Sequence, residues 1–98
     1  MAKDEKELID MIVKYAAHKG GAKDGWYVGV SKDPQKKLFK VHGVDRQKDF
    51  WIFDHSVDTT EAARIIDKLL MMGFDGEALH SPDGTGIYVY QKREHTKE

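Results

Sequence analysis

The sequence predicts one small α/β domain: three helices packed on a three-stranded, mostly antiparallel sheet, in the order α-β-α-β-α-β. Three observations predict it. Apolar residues recur at helical spacing within residues 5–18 and 58–72. Three short runs, Trp26–Val30, Phe50–Phe53 and Gly86–Tyr90, are rich in aromatic and β-branched residues, which favour extended backbone. Each helical stretch is led by an aspartate that can cap it and closed by a glycine: Asp4 and Gly20, Asp33 and Gly43, Asp58 and Gly73.

In the first helix Leu8, Ile9, Ile12, Val13 and Ala16 make one apolar stripe. Asp4 with Glu7 resembles a capping box, and His18 in the last turn suits the helix dipole. After a Gly-rich loop, Trp26, Val28 and Val30 share one face of the first strand, and Tyr27 and Gly29 share the other. A strand glycine marks a bulge, a bend or a close neighbour, so Gly29 is the first hint of a site. Pro34 suits a first helical turn behind Asp33. In that short helix Leu38 and Val41 should face inward, with Phe39 or His42 at the edge. The third helix buries Ala62, Ile65, Ile66 and Leu69, and Phe74 packs back behind it. Residues 75–85 read as turns, with Ser81-Pro82-Asp83-Gly84 a β-turn candidate. Residues 92–98 read as a charged, frayed tail.

Composition narrows the function classes. The 98 residues suit one domain that buries a modest core unaided. With no cysteine there are no disulfides, thiolate metal sites or thiol nucleophiles. No stretch approaches a membrane span or a signal peptide, so a soluble cytoplasmic protein is expected. The net charge of −1, from 16 basic and 17 acidic side chains, is not that of a strong nucleic-acid binder. Its distribution is less even. Lys32, Lys36, Lys37, Lys40, Arg46 and Lys48 meet only Asp33, Asp45 and Asp49 between Trp26 and Phe50. That segment is either a solvated helix face or a local basic surface for DNA or RNA.

Phosphate-loop, dinucleotide-fingerprint, zinc-protease and nucleophile-elbow patterns are all missing. The five histidines have no metal-ligand spacing. What remains is a set of polar residues that folding could gather: Tyr27 beside Gly29, Lys37 on the next helix, and Asp67 among Ile65, Ile66, Leu69 and Leu70. Asp67 lies one residue off the apolar stripe, which also fits a boundary carboxylate in a surface ion pair.

These residues resemble the GIY-YIG nuclease superfamily. Tyr27-Val28-Gly29 looks like its second signature, followed by an Asp-led helix. The family arginine ten residues after the signature tyrosine corresponds to Lys37, and a histidine common at the end of that helix corresponds to His42. Ala63-Arg64-Ile65-Ile66-Asp67 matches the later segment whose glutamate binds a divalent metal. The family's first strand, with Gly-Ile-Tyr, is not where the pattern puts it. Gly86-Ile87-Tyr88 stands in the last strand instead, as a circular permutation would produce. A group of small bacterial and phage proteins with Tyr-Val-Gly, Asp-Pro, Trp-Ile and Met/Phe-Asp-Gly landmarks is similar as well.

The resemblance implies metal-assisted phosphodiester cleavage, with Mg2+ or Mn2+ at Asp67. It implies catalytic roles for Tyr27, Lys37, His42 and Tyr88, and site glycines at Gly29 and Gly86. Lysine lacks the guanidinium fork, and aspartate is one methylene shorter than glutamate. A shift of about 1 Å can cost roughly 10²-fold in rate. The expectation is therefore a weakly catalytic or non-catalytic domain that binds nucleic acid. The alternative is a non-enzymatic module whose aromatics contact a protein.

Overall fold

The computed structural model describes residues 4–20, 25–56, 58–76, 84–94 and 96. Helix α1 spans Glu5–Lys19, strand β1 Trp26–Ser31, and helix α2 Pro34–Lys36, which continues as a π-helical turn over Lys37–Val41. Strand β2 spans Trp51–His55, helix α3 Thr59–Met72, strand β3 Asp75–Gly76 and strand β4 Gly86–Gln91.

The caps act as the sequence indicates. The carboxylates of Asp4, Asp33 and Asp58 accept from the backbone N–H of Glu7, Lys36 and Glu61 at 2.8, 3.1 and 2.7 Å. Each satisfies an N–H that the first helical turn leaves without a partner. At the far end of α3, Gly73 takes φ 112° and its N–H reaches the last-turn carbonyls.

The sheet has four strands, not the three expected, in the order β2-β4-β1-β3. β4 runs antiparallel to both β1 and β2, while β3 pairs parallel with β1. The extra strand is Asp75–Gly76, within the segment read as turns. Two residues carry no detectable alternation, and they pair because buried Phe74 brings the chain alongside Tyr27 and Val28. The Ser81–Asp83 part of the turn candidate lies outside the described residues. Beyond β4, the Lys92 N–H donates to the Gly25 carbonyl at 2.8 Å, and Thr96 is buried.

Strand alternation divides the core into two layers. On one face Trp26, Val28, Val30, Ile87 and Val89 pack with α1 (Leu8, Ile9, Ile12, Ala16) and α3 (Ala62, Ile65, Ile66, Leu69). On the other, Tyr27, Tyr88 and Tyr90 pack with Leu38 and Val44 from the segment around α2. The sheet thus sits between α1 with α3 on one side and α2 on the other. Among the described residues, no helix is long and apolar enough to cross a membrane.

Glu5 ties α1 to α3 through Lys68 (2.7 Å) and Arg64 (2.9 Å). Hydrogen bonds from Lys68 and then Arg64 hold its carboxyl below the ordinary value of 4.5. A carboxyl depressed in the folded state stabilises above its unfolded value, and the benefit is lost as pH falls through the folded value. Thermal melts should therefore show Glu5→Gln less stable than the parent near neutral pH, with the gap closing below pH 4.5. A gap that stays constant into acid would show that the pairing contributes nothing.

Candidate functional site

The face that α2 covers is built from rows running across three strands. Tyr27, Tyr90 and Trp51 are directly opposite one another, as are Gly29, Tyr88 and Phe53, and then Ser31, Gly86 and His55. Opposed residues on one face touch, so the first two rows form a near-continuous aromatic layer. Gly29 is the gap in the second row, and the Tyr88 ring lies across it. A Cβ at Gly29 would fall inside the contact distance of Tyr88 Cζ and Oη. The strand glycine that drew attention in the sequence accommodates a close neighbour.

His42 closes this layer from above. Its Nε2 is 2.9 Å from Tyr88 Oη and its Nδ1 is 3.1 Å from Tyr90 Oη. A neutral imidazole has one N–H and one bare nitrogen, so it donates to one hydroxyl and accepts from the other. The Tyr27 ring packs against both His42 and Tyr90, with centroids 5.2 and 5.5 Å away. All four side chains are buried, His42 at 5% exposure and Tyr90 at 0%.

The helix itself delivers His42. Its N–H bonds the Lys37 carbonyl five residues back (2.9 Å), so this turn is wider than an α-turn. Widening shifts the phase. Leu38 and His42 face the sheet, while Val41, expected inside, is 49% exposed.

Outside this layer lie the cations. Lys32, Lys36, Lys37, Lys40, Arg46 and Lys48 are all exposed. Among the described residues none of the six has a carboxylate partner. Lys32, Lys36, Lys37 and Val41 line an open groove of about 370 Å³ with Ser31 and Asp33. Lys36 also lines the adjoining groove of about 200 Å³, with Lys40, Phe39 and Arg46. Lys48 stands apart, in a shallow site it lines with Asp49, Arg93 and Glu94.

The expected site residues therefore separate. Tyr27, His42 and Tyr88 come together, with Gly29 shaping their contact. Gly86 serves a different contact, since a Cβ there would strike the Pro34 ring at 2.7 Å. Lys37 is on the outer side of the helix that carries His42. Asp67 is exposed on α3, whose apolar side packs on the opposite face of the sheet. Among the described residues no three His, Asp or Glu side chains group as a metal site would need.

Sequence reasoning missed Tyr90 and the half-buried ladder of Phe39, Trp51 and Phe53. The available signal was alternation: Tyr88 and Tyr90, like Trp51 and Phe53, are two residues apart and must share a face. Comparison with protein-family models, curated proteins and solved structures yields no match to this chain.

Proposed function

We propose that the chain is a nucleic-acid-binding domain of GIY-YIG-like build in which cleavage is weak or absent. The observation that carries this reading is the set of five exposed cations along two adjoining grooves, Lys32, Lys36, Lys37, Lys40 and Arg46, without salt-bridge partners among the described residues, with exposed Lys48 further along the chain. A phosphate backbone is the ligand that such charge suits, because each neutralised phosphate releases condensed counterions. The near-zero net charge of the chain makes this a local surface rather than a global attraction.

The family likeness draws support from two placements. The Gly86-Ile87-Tyr88 strand lies between β1 and β2, where a permuted motif strand would have to sit. Tyr27, His42 and Tyr88 also share one cluster. The chemistry argues for binding over cutting. The two tyrosines are 6% and 4% exposed, so a phosphate could not reach their hydroxyls without rearrangement. Lys37 offers a point charge where the family has a guanidinium. A Mg2+ or Mn2+ ion at Asp67 would find one exposed carboxylate and no grouped second ligand among the described residues. This donor set does not fit a catalytic metal.

Fluorescence anisotropy with labelled single- and double-stranded oligonucleotides tests the reading. Affinity for at least one form should fall with salt, with a log–log slope of about −4 for a single strand or about −5 for a duplex, set by five or six phosphate contacts. The pair Lys36→Ala and Lys40→Ala should make that slope shallower by about 1 to 2. In Mg2+ or Mn2+, cleavage should be slight and indifferent to Asp67→Ala. Efficient cleavage lost in Asp67→Ala would overturn the non-catalytic half of the reading. No salt-dependent binding to either form would overturn the nucleic-acid half and leave the half-buried aromatics to a protein partner.

A further inference from the structure

Edge strand β2 differs from its neighbours. All residues of β1 are buried and so are five of six in β4, whereas Trp51–Asp54 are half-exposed and His55 is exposed. On its outward-looking side stands a continuous run of rings. Phe39 meets Trp51 edge-on at 4.8 Å between centroids, Trp51 lies nearly parallel to Phe53 (6.2 Å, 9°), and His55 follows Phe53 at 6.3 Å. The Arg46 guanidinium sits over the Phe39 ring at 4.2 Å, and the Trp51 indole N–H donates to the Arg46 carbonyl at 3.2 Å. That bond fixes the indole, and Tyr90 and Tyr88 back Trp51 and Phe53 from the adjoining strand. The ladder is therefore preorganised. One end of it, at Phe39, opens onto the groove of Lys36, Lys40 and Arg46.

Resting on the nucleic-acid reading, we infer that the ligand is a single strand, whose bases stack on Trp51 and Phe53 while its phosphates follow Lys36, Lys40 and Arg46. A duplex hides its base faces and presents only groove edges and phosphates, so half-exposed rings gain nothing from it. An unpaired strand offers π faces, and base–aromatic stacking tolerates any sequence. Charge and rings together select this occupant over an added peptide strand. The β2 edge is also blunted against strand addition. The His55 N–H, which alternation points away from β4, is taken by the Asp54 carboxylate at 2.7 Å.

The test uses the full chain with Trp26→Phe, which leaves Trp51 as the reporting indole. Oligothymidylate, oligouridylate and a mixed-sequence duplex, each of about 15 nucleotides or base pairs, cover the site sizes usual for single-strand binders. Trp51 fluorescence should be quenched by both single strands, with at least tenfold tighter binding than to duplex. The relative affinity of the two single strands distinguishes a DNA from an RNA ligand. Phe53→Leu should weaken single-strand binding about tenfold and leave the salt slope unchanged, because stacking is lost and phosphate contacts are kept. His55→Ala, at an exposed position, provides a second variant that does not threaten folding, and it should weaken single-strand binding by a smaller factor. Unchanged melting of either variant certifies the comparison. Equal or tighter duplex binding, or single-strand affinity untouched by both variants, would overturn the inference while leaving the nucleic-acid reading standing. Loss of salt-dependent binding to all three probes would overturn both.

Discussion

Gly29→Ala is expected to destabilise the protein by about 1–3 kcal/mol, as overpacking a filled interior does. For a domain of this size that is a fall in melting temperature of roughly 5–20 °C. The added methyl has no room, because the Tyr88 Cζ and Oη occupy its position. The ring cannot retreat freely, since its hydroxyl is held by His42 Nε2 and its neighbours in the row are Phe53 and the strand itself. The requirement at Gly29 is one of space and not of unusual backbone, for its φ is not among the positive values. Gly25→Ala supplies the contrast: nothing lies within 4 Å of where its methyl would stand. Thermal unfolding followed by circular dichroism should separate the two variants clearly. The clash predicts coupling as well. In a Tyr88→Leu background the alanine should cost much less, giving a non-additive cycle. Equal melting of Gly29→Ala and the parent would remove Tyr88 as the reason for the glycine.

The sequence makes most of this architecture legible because its signals are local. Asp4, Asp33 and Asp58 are read correctly as caps, since capping depends on residues within one turn. The two faces of β1 are read correctly because alternation is a property of the strand alone. What escapes is what depends on partners far away in the chain. Strand β3 exists only through its pairing with Tyr27 and Val28. The inward position of His42 depends on a widened turn that periodicity at 3.6 residues does not anticipate, and its two hydroxyl partners are 46 and 48 residues distant. The position of Asp67 just off the apolar stripe of α3 was legible. That α3 and α2 cover opposite faces was not, because no local pattern states which side of a sheet a helix takes. The same limit hid the ladder: Trp51 and Phe53 read as strand formers, and only the order β2-β4-β1-β3 puts them at an edge.

His42→Leu should be the costlier of the side-chain truncations in the aromatic layer, at about 2–4 kcal/mol, because two hydroxyls lose their imidazole partner at once. Each of Tyr88 and Tyr90 is at most 4% exposed, so bulk water cannot readily take over the bond. Removing one partner of a buried pair costs more than removing both, since the penalty is desolvation of the group left behind. The triple variant His42→Leu, Tyr88→Phe, Tyr90→Phe should therefore be more stable than His42→Leu alone, although it makes fewer hydrogen bonds. Chemical denaturation with a common slope would read the difference directly. A triple variant no more stable than the single would mean that ring packing, and not hydrogen bonding, is what His42 supplies. The two causes also differ in their effect on the surface. Tyr90 backs Trp51 and Tyr88 backs Phe53, so the rings that would meet a nucleic-acid base are aligned by the same rows that His42 closes. If shape alone aligns them, the triple variant, which keeps all four ring positions on the strands, should bind a single strand as the parent does. If hydrogen bonds hold the tyrosines at the angle the ladder needs, the triple variant should stay folded yet bind more weakly. Stability and binding measured on one protein thus distinguish a network that maintains the core from one that also sets the surface above it.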